Sequence, residues 1–277
     1  MAHLIIDTAN LVHRARSGFT LGEYPVIFNF FRGIKSLFKD MATTSATFVL
    51  EGSPRQRLEA HSEYKANRAI DPTDTKKLEE HAKFVRQRKK IEELLKCLRV
   101  TIARHPGYEA DDVIAAIACK KAYDCTAECC SVIVVSTDTD FFQLPNKVSI
   151  YNPVKKAFVE PPVDRRLYAE YKSFTGDGSD NIPCVEGIKP KRAKTLTCNH
   201  DERKKFFAEN PEAYDRWNKN LDLIKFHCVN MEEIEFSIAS TPDYERLRSE
   251  FETMEFKSIV NDRSWPNFIA PFQKLIP

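Results

Sequence analysis

Acidic residues recur in close pairs along the sequence, at spacings that can gather several carboxylates in one place. Asp138 and Asp140 are two residues apart, so an extended chain would point both side chains to the same side. Asp177 and Asp180 have the i,i+3 spacing of one helix face. The full set of candidate site acids is Asp7, Glu51, Glu109, Asp111, Asp112, Asp138, Asp140, Asp177 and Asp180.

A group of converging carboxylates favours divalent metal chemistry. Like charges in a cleft repel one another, so such a group is tolerated only with cations beside it. Oxygen ligands without a partnering His or Cys favour Mg²⁺ or Mn²⁺. Two such ions can clamp the attacking and leaving oxygens of a phosphodiester. For any single acid, a helix N-cap or a surface position is the simpler explanation, but chance explains the whole set less well.

The elements predicted around these acids would bring them to one edge of a sheet. Apolar, β-branched runs predict strands at residues 3–6, 46–50, 100–102 and 131–136, and a shorter pair at 148–151 and 156–160. Helical patterns begin at Pro25, at Thr73 or Asp74, and at Glu109. This alternation indicates an α/β fold with a mainly parallel central sheet flanked by helices. Asp7, Glu51 and Asp138 would then follow strands, where the ligand sites of such sheets lie.

The chain is predicted to divide near residue 162. Residues 1–162 would form the α/β domain, in which the polar stretch 53–68 is a loop and a long charged helix follows to about residue 98. Residues 163–277 are predicted to be mainly helical, with helices at 164–174, 190–196 and 201–207 and a mixed helical tail.

Local charge is more informative than the total charge. The 42 Lys+Arg and 40 Asp+Glu residues leave a net charge of only +2. Basic side chains nevertheless collect in two runs, which could attract an anionic substrate, although a solvated helix face is the ordinary alternative. The runs are Lys83, Arg86, Arg88, Lys89 and Lys90, and then Lys191, Arg192 and Lys194.

Composition excludes several classes of protein. With only 8 Gly, the chain is neither collagen-like nor a flexible Gly/Ser-rich linker. Its apolar stretches fall short of the ~20 residues that span a bilayer, and Asp7 interrupts any signal-peptide core. A soluble, cytoplasmic protein without membrane association is therefore expected. The cysteines, including the Cys125, Cys129 and Cys130 cluster, form no CxxC pair and are expected to be reduced thiols.

Two strings are more specific than the strands that end in acids. Residues 63–68 read Glu-Tyr-Lys-Ala-Asn-Arg, and residues 176–183 read Gly-Asp-Gly-Ser-Asp-Asn-Ile-Pro. The strings at 4–10, 109–112 and 136–140 fall in order around them. Over about residues 4–196 the set resembles the successive motifs of the flap endonuclease / 5′→3′ exonuclease family, and the length is similar to that of its stand-alone bacteriophage members.

The resemblance implies a PIN-like 5′-3′ exonuclease fold with two Mg²⁺ or Mn²⁺ ions. One ion would be held, directly or through water, by Asp7, Glu51, Glu109 and Asp111. The second would be held by Asp138, Asp140 and Asp177, with Asp112 and Asp180 adjacent or outside the direct ligands. Glu51 stands where the family usually has Asp, which leaves direct or water-mediated coordination open.

The resemblance also implies where DNA would bind. Lys65 and Arg68 would be catalytic residues that reach the scissile phosphate, and Tyr64 could stack on a base. Residues 53–98 would form a helical arch, in which the basic run Lys83–Lys90 guides the single-stranded 5′ arm. Residues 176–196 would contain a helix–three-turn–helix that binds duplex phosphates with Lys191, Arg192 and Lys194 and can hold K⁺. In that segment, Cys184 and Lys189 stand where glycines are common.

The sequence is therefore interpreted as a structure-specific 5′ nuclease that acts on DNA at single/double-strand junctions and 5′ ends. It would work as a monomer in replication or repair, removing 5′ flaps or RNA primers in a bacterial or phage-infected cell, with replication proteins as further partners. One alternative is a PIN-like endoribonuclease, which uses the same carboxylates. The other is a non-catalytic DNA-binding accessory protein, although such a protein gains nothing from carboxylates that face phosphates.

Overall fold

A computed structural model describes residues 2–20, 22–124, 131–239 and 241–276. The strands are β1 Ala2–Asp7, β2 Ser45–Val49, β3 Thr101–Arg104, β4 Ser131–Val135, β5 Val148–Asn152, β6 Ala157–Phe158 and β7 Glu235–Ile238. They form one sheet in the order β6-β5-β4-β1-β2-β3-β7. The cysteine cluster at positions 125, 129 and 130 lies outside the described residues, so the prediction of reduced thiols there stays a prediction.

The helices flank this sheet and continue beyond it. Their bounds are α1 Thr8–Ala15, α2 Pro25–Asp40, α3 Arg55–Ala60, α4 Thr75–Leu95, α5 Ala110–Asp124, α6 Tyr168–Thr175, α7 Pro190–Cys198, α8 His200–Glu209, α9 Pro211–Ile224, α10 Tyr244–Thr253, α11 Lys257–Val260 and α12 Trp265–Gln273. The predicted α/β class is confirmed. Among the described helices, none has the length and apolar character needed to cross a membrane.

The centre of the sheet is parallel and covered on both faces. β1 pairs in parallel with β2 and β4, and the outer strands β6 and β7 are antiparallel to their neighbours. Leu4 and Ile6 point into one core, whereas Ile5 points into the other, as the alternation of a strand requires. Because the parallel strands run in one direction, their carboxyl ends meet at one edge of the sheet.

The C-terminal residues are divided between two parts of the molecule. α6, α7 and α9 contribute Phe174, Ala193 and Trp217 to a separate apolar cluster. α10 and α12 instead contribute Phe251 and Phe272 to the core on the face of the sheet that α2 covers. The predicted boundary at residue 162 stays a prediction, but much of the region after it completes the core of the α/β sheet.

Two elements differ from the sequence expectations. The stretch predicted as a loop contains the short helix α3, whose buried residue is Arg57 and not an apolar side chain. β7 lies inside the region predicted as helical and pairs antiparallel with β3, although all four of its residues are exposed. α3 was missed because it has no apolar periodicity and is held by distant partners of Arg57. β7 was missed because its alternation covers only four residues, and its pairing with β3 is a long-range contact.

The long charged helix was correctly predicted and is firmly packed. Asp74 caps α4 by accepting a hydrogen bond from the backbone N–H of Lys77 at 3.0 Å. Phe84, Ile91 and Leu95 are buried, and the buried Gln87 accepts a hydrogen bond from the backbone N–H of Val26 in α2. The helix therefore lies against α2 along its second half and exposes its basic side chains on the other face.

We predict that Phe251→Ala destabilises the fold by about 3–5 kcal/mol, because a large buried side chain leaves a cavity. Phe251 is fully buried and its ring contacts the rings of Phe31 and Phe268. The matched control is Phe236→Ala in β7, which is 49% exposed and should cost less than about 1 kcal/mol. Urea unfolding of both variants checks this, and equal losses would contradict a core role for α10.

Candidate active site

The acidic site is built on the carboxyl end of β1. Asp7 ends this strand, is 5% exposed, and caps α1 by accepting a hydrogen bond from the backbone N–H of Asn10 at 2.9 Å. The Asn10 side chain donates to Thr137 Oγ1 at 2.9 Å in the loop after β4. The N-cap explanation for Asp7 is thus correct, and it does not compete with a site role.

A chain of hydrogen bonds joins Asp7 to the acids after β4. Ser136 Oγ donates to Asp7 Oδ2 at 2.8 Å and accepts from the backbone N–H of Asp138 at 3.0 Å. The backbone N–H of Asp140 donates to Asp138 Oδ1 at 2.9 Å. The predicted proximity of Asp7, Asp138 and Asp140 is present, and backbone N–H groups hold the carboxylates of Asp7 and Asp138.

Burial and neighbouring negative charges raise the pKa values of three of the predicted acids. The pKa of Asp7 is raised to about 7, mainly by burial, with the charges of Asp138 and Glu51 adding to the effect and hydrogen bonds opposing it. Burial also raises the pKa of Asp111 strongly, with Asp138 and Asp7 adding to the effect. The pKa of Glu51 is raised by burial despite the nearby ammonium of Lys65. This first carboxylate group (Asp7, Glu51, Asp111 and Asp138) therefore holds more negative charge than the protein neutralises.

A lysine that the sequence did not single out lies among the remaining acids. Lys172 of α6 is 6% exposed in its side chain and forms ion pairs with Asp140 and, at 2.7 Å, with Asp177. Burial raises the pKa of Asp140 to about 7 although Lys172 opposes the shift. Burial would also raise the pKa of Asp177, but Lys172 and hydrogen bonds from Ser179 outweigh it and lower that pKa.

Residues 63–68 and 178–181 are joined by several hydrogen bonds, which we call the inter-loop contact. The backbone N–H of Lys65 donates to Asp180 O at 3.1 Å. Asn67 donates to Gly178 O at 2.9 Å, and Asn181 donates to Glu63 O at 2.9 Å. Arg68 forms an ion pair with Asp180. The two strings that are most specific in the sequence therefore form one structural unit.

Lys65 lies at the centre of this unit. It has a left-handed backbone conformation with φ 56°, and its ammonium contacts Glu109 Oε1 and lies 3.8 Å from Asp180 Oδ2. Burial would lower its pKa, but Glu109 and Asp180 outweigh that effect and raise it. Lys65 is therefore a fixed cation at the acidic site, whereas a loop lysine would ordinarily be solvated.

Glu109 and Asp112 are bound by a second residue that sequence reasoning missed. Arg57 Nη1 donates to Glu109 Oε2 at 2.8 Å and to Asp112 Oδ2 at 2.7 Å. Asp112 also accepts the backbone N–H of His227 at 2.8 Å. Asp112 is thus occupied by internal partners, although the sequence placed it among the metal acids. No local sequence signal distinguishes Arg57 from its neighbour Arg55.

The structure corrects the expectation for Tyr64. Its side chain is buried in the apolar cluster with Phe174 and Trp217. Its hydroxyl lies 3.1 Å from both Glu109 Oε2 and Asp180 Oδ2 and donates to one of them at a time. The ring is not presented for stacking on a base, because the side chain is only 6% exposed and its hydroxyl already has carboxylate partners.

The predicted DNA-contacting cations lie on two helices. On α4, Lys83, Arg86 and Lys89 are exposed and Arg88 and Lys90 are half-buried. Lys90 forms an ion pair with Glu250 of α10 at 2.8 Å, so its charge is already balanced within the protein. On α7, Lys191, Arg192 and Lys194 are all exposed, and Arg192 forms an ion pair with Glu202 of α8. These positions leave most of the cations available to an anionic ligand.

The donor chemistry fits divalent cations. Every predicted ligand offers hard oxygen atoms. The nearby cations of the protein do not fully balance the negative charge of the first carboxylate group. In the part of the chain that the structure describes, no three candidate ligands stand close enough together to form a ready-made ion site. Lys65 instead pairs with Glu109, and Lys172 pairs with Asp140 and Asp177. These ion pairs indicate where the site requires positive charge.

Comparison with known proteins agrees with this arrangement. The candidate site consists of carboxylates near the carboxyl ends of parallel strands with lysines among them. The family model described as 5'-3' exonuclease, N-terminal resolvase-like domain, matches residues 2–172. The chain belongs to the 5′-3′ exonuclease family, and the predicted family and fold are both confirmed.

Individual relatives show how far the similarity extends. The thermostable DNA polymerase I of Thermus aquaticus is 31% identical over 94% of this chain but only 32% of its own length. The chain therefore spans about a third of that relative. The 5'-3' exonuclease of Aquifex aeolicus is 27% identical over 93% of each chain. The T5 5′-exonuclease solved with bound zinc is 25% identical over 81% of this chain and 89% of its own, with a TM-score of 0.64.

We predict that Lys172→Met destabilises the fold by about 3–5 kcal/mol in EDTA, because it leaves Asp140 and Asp177 buried without their counter-ion. Millimolar Mg²⁺ should restore part of this loss, since the freed carboxylates would bind the ion. Thermal unfolding with and without Mg²⁺ measures both effects. Lys120→Met, which removes an exposed pair with Asp124, is the control and should change stability by less than about 1 kcal/mol. A loss that Mg²⁺ leaves unchanged would argue against metal binding by Asp140 and Asp177.

Proposed function

We propose that this protein is a structure-specific 5′ nuclease that hydrolyses DNA at single/double-strand junctions and from 5′ ends with Mg²⁺ or Mn²⁺. The observation that carries the proposal is the first carboxylate group, in which burial and neighbouring negative charges raise the pKa values of Asp7 and Asp111. A non-catalytic DNA-binding protein would gain nothing from this surface, because its carboxylates would repel the phosphates of DNA. A metal-dependent phosphodiesterase uses the same surface to gather cations at the scissile bond.

The ligands divide into two groups. Asp7, Glu51, Glu109 and Asp111 would hold one ion, and Asp138, Asp140 and Asp177 would hold the other. When bound, the ions supply charge neutralisation and an activated water for hydrolysis. The backbone hydrogen bonds to Asp7 and Asp138 keep these carboxylates in place, so binding requires little rearrangement of the strand ends. Zinc in the T5 5′-exonuclease supports a divalent metal requirement.

Lys65 and Arg68 would act on the phosphate. Both have acid partners at present, Glu109 for Lys65 and Asp180 for Arg68. Glu109 would help to hold a metal ion, and Lys65 would donate from its ammonium to a non-bridging phosphate oxygen. A fixed cation at that point stabilises the charge that develops in the transition state.

Substrate selection would come from the helices around the site. Exposed cations on α4 lie after the inter-loop contact and would guide a single-stranded 5′ arm. Exposed cations on α7 would bind duplex phosphates, with K⁺ held by the hairpin before this helix. None of these groups is placed to read base edges, so recognition would depend on DNA structure. The protein would act as a monomer, with replication proteins as further partners.

Our first functional prediction is that the wild-type protein cuts a 5′-labelled DNA flap with Mg²⁺ and not with EDTA. Asp138→Asn should lower the rate by more than about 10²-fold yet keep flap binding in Ca²⁺. The amide oxygen can still accept the N–H of Asp140, so the loop remains intact while the charge is lost. Asp164→Asn, at an exposed acid that bonds only its neighbour Arg166, is the control.

The same assay separates the competing functions. Preference for a matched RNA flap would favour a PIN-like endoribonuclease. Binding without any Mg²⁺-dependent cleavage by the wild-type protein would favour a non-catalytic accessory protein. Near wild-type cleavage by Asp138→Asn would show that Asp138 is not a metal ligand.

A second functional prediction distinguishes chemistry from capture. Lys65→Ala should lower the single-turnover rate by about 10²–10³-fold with little change in the dissociation constant for the flap. Lys89→Ala, at an exposed position on α4, should weaken binding more than the rate. Measurements of both constants at one salt concentration decide this. If Lys65→Ala loses affinity but keeps its bound-state rate, Lys65 only positions the substrate.

A further inference from the structure

Arg57 occupies a buried position between three parts of the chain. It lies in the short helix α3, immediately before the inter-loop contact, and is 5% exposed. Its partners lie in α5 and its preceding turn and at the end of α9, at least 52 residues away in sequence. A buried cation of this kind is stable only when its donors are satisfied.

Each nitrogen of the Arg57 guanidinium has an acceptor. Nη1 and Nη2 hold Asp112 in a two-pronged ion pair at 2.7 and 2.9 Å, and Nη1 also donates to Glu109 at 2.8 Å. Nε donates to Leu223 O at 2.9 Å, and Nη2 donates to Lys225 O at 3.1 Å. A lysine in this place could not reach all these acceptors, since its ammonium is a single point with three donors.

The contact with Glu109 assigns different tasks to its two oxygens. Oε2 accepts from Arg57 and lies within hydrogen-bond reach of Tyr64. Oε1 contacts the ammonium of Lys65. The carboxylate of Glu109 is thus held through Oε2. Oε1 is the oxygen that can exchange Lys65 for another partner.

The contacts with Leu223 and Lys225 connect the site to the helical region. These carbonyl groups belong to the C-terminal end of α9, where a helix leaves acceptors without internal partners. In the same helix, Asn220 donates to Ser173 O at 2.9 Å and to Pro183 O at 2.7 Å. α9 is therefore held on one side by Arg57 and on the other by α6 and by Pro183, which lies within the proposed duplex-binding segment 176–196.

From these contacts we infer that Arg57 is a positioning residue for the nuclease reaction. It fixes Glu109 so that Oε1 faces Lys65 and the reacting phosphate, and it keeps α9 aligned with that carboxylate. This inference rests on the proposed function and assigns no contact between Arg57 and the substrate.

The test compares two buried arginines. Arg57→Lys is expected to fold, to lose stability, and to lower kcat for flap cleavage by about 10–100-fold with KM for the flap unchanged. The Mg²⁺ concentration for half-maximal activity should rise. Arg165→Lys is the matched control, because Arg165 is also buried and binds Val148 O at 2.6 Å and Glu160 at 3.0 Å, away from the candidate acids. It should lose stability without losing turnover.

A readout without catalysis completes the test. Mn²⁺ binding to the substrate-free protein, followed by electron paramagnetic resonance, should be weaker for Arg57→Lys and unchanged for Arg165→Lys. A double variant with Glu109→Gln should be little slower than Glu109→Gln alone, because both changes remove the same carboxylate function. If Arg57→Lys does not fold, the charge-neutral pair Arg57→Gln with Asp112→Asn takes its place, with the same expectations measured relative to Asp112→Asn alone.

The outcomes are separable. Unchanged kcat and Mn²⁺ affinity in a folded Arg57 variant would overturn the inference while leaving the nuclease function intact. So would effects on kcat that simply add to those of Glu109→Gln. A wild-type protein that cuts no flap would instead contradict the proposed function itself, and Mn²⁺ binding would then still show whether Arg57 positions Glu109.

Discussion

The structure depends on negative charge that is concentrated at the carboxyl ends of parallel strands. Burial and mutual repulsion raise the pKa values of Asp7 and Asp111, so these carboxylates cost free energy unless cations lie near them. The protein supplies only part of that positive charge, through Lys65 and Lys172. In the function that we propose, folding and chemistry place opposite demands on one site, because the arrangement that destabilises the protein would also attract metal ions and, through them, phosphate.

Several long-range contacts exist to hold this arrangement. The inter-loop contact fixes Lys65 beside Glu109, and Lys172 joins α6 to the loop after β4. Arg57 joins α5 to the end of α9. Each of these cations connects the sheet to the helical region, so the acids are held between two parts of the molecule. A nuclease of this design would couple duplex binding on the helices to the geometry of its carboxylates.

Much of this could be predicted from local pattern. The apolar run at 3–6 predicted a buried strand with Asp7 after it, and Thr73 or Asp74 was predicted to begin the long helix that is α4. The string at 63–68 resembled a family motif in which Lys65 reaches the phosphate, and the structure gives this residue a left-handed backbone and a partly buried ammonium beside Glu109. Tyr64 was misjudged, because nothing in the string shows whether an aromatic ring points to solvent or into a core.

The sequence by itself determined the α/β class, the strand ends and the identity of the acids, because strand alternation, helix capping and motif spacing are properties of neighbouring residues. Only the tertiary structure decided which cations meet those acids. Arg57 binds Asp112 and Lys172 binds Asp140, and both partners are distant in the sequence. β7 forms a strand by pairing with the edge of the sheet at β3. The C-terminal helices likewise became part of the sheet's core through Phe251 and Phe272, since burial is set by the surfaces that long-range folding brings together.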